Sequence, residues 1–152
     1  MQPTPASEWR RAVARHLAAH YAANPNVAAV LCGGSAARGL ADQYSDLEFG
    51  IFWHTPPAEA ERQAAPTTAG ADGLHLYPYD ADLELWEDTY FIGRAAPDAP
   101  QTGLLVEAES YTVGGMERIL HRVLDEFDTD DTRHSLLSTL GPGQHLPLHG
   151  VD

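Results

Sequence analysis

The chain has 152 residues, 43% of them hydrophobic and 20% charged, which suits one soluble domain, residues 1–152, with a single core. Its 22 acids outnumber 9 basic residues, all Arg, for a net charge of -13. That balance excludes a duplex nucleic acid binder, which needs a basic surface, and the lack of Lys excludes a Walker-type phosphate loop. No apolar run reaches the ~20 residues of a membrane span and no signal segment opens the chain. The single cysteine, Cys32, excludes an intrachain disulfide. A cytoplasmic location is the expectation.

Ser7 predicts a helix N-cap, with a helical pattern over Arg10 to Tyr21 and residues 1–5 frayed ahead of it. Trp9, Val13, His16, Leu17 and Tyr21 recur at helical steps as its buried stripe. His16 and His20 have metal-binding spacing, but no third ligand accompanies them, and they read as surface histidines. Asn24-Pro25-Asn26 ends the helix by turn chemistry. Val27 to Cys32 is a short apolar run, a strand buried on both faces, and Cys32 reads as a packed core thiol.

The strand stops at Gly33-Gly34-Ser35, where the glycines permit positive φ and close approach to the backbone. Ser35 is the expected cap of a short helix, and amides at such a turn make an anion site. After a polar loop, Asp46 to Trp53 reads as a strand in which Asp46 and Glu48, two apart, point to one side while Leu47, Phe49 and Ile51 enter the core. Two like charges side by side cost stability, a cost that a divalent cation between them would offset. Solvated acids at a strand end are the bland alternative.

Pro57 to Ala65 predicts a short helix, 66–73 a loop, and Leu74 to Tyr79 and Leu83 to Ile92 two strands. Leu104 to Tyr111 is a further strand, with Glu107 needing a partner if buried. Thr112 to Phe127 is an amphipathic helix with His121 packed on or beside its apolar face, and Thr132 to Leu140 a shorter one. The final stretch, GPGQHLPLHG, reads as a loop.

The string GGSAARGLADQYSDLEFGIFW, residues 33–53, resembles the signature of the polymerase-β-like nucleotidyltransferase superfamily, and especially bacterial minimal nucleotidyltransferase domains. There a Gly-Ser turn and short helix are followed by an acid-x-acid strand. The resemblance implies an α/β (α+β) fold, a mixed central sheet with helices packed against it. It also implies transfer of a nucleoside monophosphate from a magnesium-bound NTP, ATP first, to an acceptor hydroxyl on a small molecule or a protein. Asp46 and Glu48 would ligate two Mg²⁺ ions, with Glu107, on a later strand before a helix, as the third acid and Glu109 its competitor. Gly33, Gly34 and Ser35 would hold the β/γ-phosphates, and Arg38 would add a charge there or point into solvent. The second and third acids are Glu where the family more often has Asp. A helical acceptor region, which follows in longer relatives, would be absent or supplied by another chain. The competing reading is a non-catalytic, antitoxin-like module that keeps the fold and pairs with a helical protein.

Overall fold

The computed structural model describes residues 2–93, 103–131, 133–134 and 143–150. In chain order these form α1 (Pro5–Ala22), β1 (Val27–Cys32), α2 (Gly34–Arg38), β2 (Leu47–Trp53), α3 (Glu59–Thr68), β3 (Asp72–Leu76), β4 (Trp86–Ile92), β5 (Leu104–Thr112), α4 (Val113–Leu124) and β6 (Leu146–His149). The strands make one six-stranded sheet in the order β3-β4-β5-β2-β1-β6. Only β2 and β5 run parallel; every other neighbouring pair is antiparallel. The mixed α/β class is therefore as the sequence implied.

Several boundaries differ from the pattern-based expectation. Helix α1 starts a turn earlier, because Thr4 rather than Ser7 is its N-cap and Pro5 fits the first turn. Its buried face is Ser7, Arg10, Ala14, Leu17, Ala18 and Tyr21, so His16 lies outside the stripe. Helix α3 runs through Pro66 to Thr68, where a loop was expected. A proline near the last turn removes little of the hydrogen-bond ladder. Strand β4 starts at Trp86 because Asp80 and Leu85 close a turn by mutual backbone bonds, with Glu84 at φ 57. Helix α4 stops at Leu124, and Phe127, at φ 55, is 80% exposed rather than part of an apolar face. His121 is likewise exposed, paired with Asp125 and Glu126. The LPLH segment is an edge strand on β1, a position that tolerates Pro147. The expected helix over 132–140 lies outside the described residues, apart from Arg133 and His134, which are helical.

Helices α1 and α3 cover one face of the sheet. There Leu47, Phe49, Ile51 and Trp53 of β2 meet Val106 and Ala108 of β5, Val30 and Cys32 of β1, and Leu17 and Tyr21 of α1. Each large side chain sealed this way contributes about 1.5–3 kcal/mol. The opposite face is covered at one end only, where Met116 and Leu120 of α4 pack with Leu85, Phe52 and Tyr111. The other end of that face, at the starts of β2 and β5, stays open. It carries the acids.

Candidate active site

Three elements meet at the open end. Strand β1 delivers the chain to Gly33, which is the N-cap of α2, with Gly34 at φ 61 as the first helical residue. Ser35, expected as the cap, instead sits inside the first turn, because the glycine conformation starts the helix two residues earlier. The Gly33 N–H donates to the Glu48 carbonyl at 2.9 Å and ties the turn to β2. That amide, expected to face phosphate, is thus already used. The N–H groups that a helix leaves without intrahelical partners are those of Gly34 and the residues after it.

Strand β2 brings Glu48 across this turn. A Cβ at Gly34 would lie 2.1 Å from Glu48 Oε1, and one at Gly33 would lie 3.6 Å from its Oε2. The carboxylate therefore rests in space that only glycine leaves open. Asp46 immediately precedes the strand, and Cys32 lies buried beneath. Burial, and then the negative charge of Glu48, push the Cys32 thiol up to about 12. It is a packed, unreactive thiol, as its sequence context indicated.

Strand β5 supplies the third acid through its parallel register, which sets Glu107 beside Glu48 on one side and Thr89 of β4 on the other. Glu109 follows beside Gly50 and opposite Glu87, and it accepts a hydrogen bond from the Tyr111 hydroxyl at 2.6 Å. The Glu48 carboxyl is pushed above its usual range, first by burial and then by Asp46, Glu107 and Glu109, with Arg38 pulling weakly the other way. Glu107 is pushed up by burial, Asp46, Glu87 and Glu109. The sequence-predicted acids Asp46, Glu48 and Glu107 thus share one electrostatic neighbourhood with the glycine turn. Glu87 is an addition that no local pattern signals, since only the pairing of β4 with β5 brings it there.

As they stand, no three His, Cys, Asp or Glu side chains among the described residues are gathered into a ready metal cage. The donor set nonetheless fits a hard divalent cation: carboxylate oxygens only, mutually repelling, beside the glycine turn. Elsewhere, His16 and His20 approach to 3.3 Å between their Nε2 atoms on the exposed side of α1.

No protein-family model matches the chain, and no curated protein does. Among solved structures it is similar to the Cid1 poly(U) polymerase with MgGTP bound, at 12% identity and a TM-score of 0.50, covering 91% of this chain and 43% of that one. The same polymerase with Mg 3'-dATP bound gives 12% identity, a TM-score of 0.50 and coverage of 91% and 42%. The chain therefore spans less than half the length of those polymerase chains, and the likeness is one of fold. The sheet and its helices share the fold of those polymerase chains.

Proposed function

We propose that the chain is a magnesium-dependent nucleotidyltransferase that moves a nucleoside monophosphate from an NTP to a hydroxyl on a small molecule or a protein. The observation that carries this reading is the seating of Glu48 on Gly34, with Asp46 and Glu107 close enough to raise its proton affinity. Repelling carboxylates above a glycine turn are a costly arrangement that a Mg²⁺-bound polyphosphate would relieve. The fold shared with a Mg-NTP-binding polymerase agrees with it.

Asp46, Glu48 and Glu107 would hold Mg²⁺, which when bound offsets the phosphate charge and polarises the reacting phosphoryl group. The Gly34 amide and Ser35 would orient the β/γ-phosphates, with Arg38 adding positive charge. A bond forms between the acceptor oxygen and the α-phosphorus, the bond to the β-phosphate oxygen breaks, and pyrophosphate leaves. Glu107 would help activate the acceptor hydroxyl, directly or as a ligand of the second ion.

The acceptor is not expected to be a polyanionic strand. Besides the net charge of -13, most described arginines are engaged within the protein. Arg10 and Arg11 bind backbone carbonyls, Arg62 binds Asp88, and Arg118 and Arg122 bind Glu84. A small molecule or protein side chain suits this surface better.

Calorimetric titration with each NTP, with and without Mg²⁺, tests the assignment in wild type and Asp46→Ala. Metal-dependent binding that disappears in the variant is expected. Equal binding by the two proteins would dismiss the metal site, and no binding by wild type would favour the non-catalytic module.

A further inference from the structure

We infer that Arg10 and Arg11, adjacent residues on α1, are positioning residues for the two halves of this site: Arg10 for the metal-binding acids and Arg11 for the phosphate turn. The inference rests on the nucleotide-binding reading above.

The link between those halves, residues 39–46, has no regular structure of its own, and α2 before it has only five residues. A helix that short is not self-supporting. What fixes both is the first part of α1. Thr4 N–H donates to the Gly39 carbonyl at 3.1 Å, Thr4 Oγ1 donates to the Ala41 carbonyl at 2.6 Å, and Ser7 Oγ accepts from Ala41 N–H at 2.8 Å. The two arginines then act at the ends that matter. Arg10, only 2% exposed, donates from Nε and Nη2 to the Ser45 carbonyl at 2.8 and 2.6 Å. That carbonyl belongs to the peptide unit that leads into Asp46, so its orientation sets where the Asp46 backbone begins. Arg11 donates from Nε to the Ala36 carbonyl at 2.9 Å and from Nη2 to the Ala37 carbonyl at 2.7 Å. Both carbonyls lie at the C-terminal end of α2, where that of Ala36 also accepts from the Gly39 N–H at 3.2 Å, and a cation at that end favours the helix dipole. Holding the C-terminal end of so short a helix holds its N-terminal turn, Gly34-Ser35, as well.

The division of labour separates positioning from mere support. Outer-shell groups that orient a site contribute about 10–100-fold to metal affinity or activity. With the NTP that wild type binds most tightly, Arg10→Gln should raise the Mg²⁺ concentration for half-maximal binding about tenfold. Its NTP Kd at saturating Mg²⁺ should stay near that of wild type. Arg11→Gln should weaken that Kd about tenfold and leave the Mg²⁺ midpoint nearly unchanged. Arg11→Lys, which retains one donor, should recover part of the loss. Melting curves by circular dichroism accompany each variant, and should Arg10→Gln not fold, Arg10→Lys and Arg11→Gln decide the matter. Folded variants with both parameters unaltered would overturn the inference. So would variants that shift both parameters together in step with their melting temperatures, since that is the signature of general loosening. A wild type that binds no NTP would remove the nucleotide reading itself, and the inference with it.

Discussion

Glu48 and Gly34 occupy each other's space: the carboxylate lies where the side chain of any other residue at position 34 would begin, 2.1 Å from the ideal Cβ. With Gly34 at φ 61, Gly34→Ala adds left-handed strain to this clash. The conformational part alone costs about 1–2 kcal/mol. The variant should unfold at lower urea concentration and lose Mg²⁺-dependent NTP binding. Unchanged stability would show that the turn relaxes without moving Glu48.

Glu48→Gln separates stability from function in the opposite sense. Burial and neighbouring acids raise the Glu48 carboxyl in the folded state, so its ionisation opposes folding. Such a group favours the folded state fully below its unfolded value, and that contribution is lost as pH rises through the folded value. Without added metal, Glu48→Gln should therefore be slightly more stable than wild type at neutral pH, by less than about 1 kcal/mol given its partial exposure. The gain should vanish on acidification through the carboxylate range. Mg²⁺ with NTP should reverse the order by stabilising wild type alone. Urea melts at pH 4 and 7, with and without Mg-NTP, measure both effects.

The buried Arg62–Asp88 pair joins α3 to β4 beneath the sheet, each side chain about 3–4% exposed. Burial outweighs the guanidinium and pushes Asp88 up to about 6. Arg62→Met leaves the acid buried without its partner and should cost about 3–5 kcal/mol near neutral pH. Losing the guanidinium pushes the Asp88 carboxyl up further, so the deficit should be largest at high pH and shrink as pH falls towards 6, the value with Arg62 in place. Denaturant unfolding at pH 5 and pH 7.5 checks this, and a pH-independent deficit would assign the loss to packing.

Tyr21 of α1 and Tyr90 of β4 pair their hydroxyls at 3.1 Å inside the core. Tyr90→Phe leaves the Tyr21 hydroxyl without this partner, at a cost of about 1–3 kcal/mol. Adding Tyr21→Phe should restore most of that stability, since a matched apolar pair has nothing left to satisfy. A double-mutant cycle by urea melts reads the coupling directly, and additive losses would show that water or another group replaces the missing partner.

The sequence by itself determined the parts whose information is local. The GGS turn followed by alternation from Leu47 to Trp53 specified strand, turn, short helix and a strand with acids on its open side. Period-2 burial and glycine stereochemistry act over a few residues, so the pattern is legible without the fold. Cys32 as a core thiol was legible for the same reason. Local pattern failed where distant contacts decide. Thr4 displaced Ser7 as the α1 cap while Ser7 turned to Ala41, Leu146–His149 became a strand only because β1 offered an edge, and His121 stayed in solvent because α4 buries Met116, Ile119 and Val123 instead. The tertiary structure alone decided the rest of the site. Parallel pairing put Glu107 beside Glu48, the antiparallel β4 added Glu87 to the same face, and Arg10 and Arg11 reached carbonyls some 25 to 35 residues away. A backbone carbonyl is the same chemical group at every residue, so a bond to it leaves no mark on the sequence of its acceptor, and only the folded chain reveals which one an arginine holds.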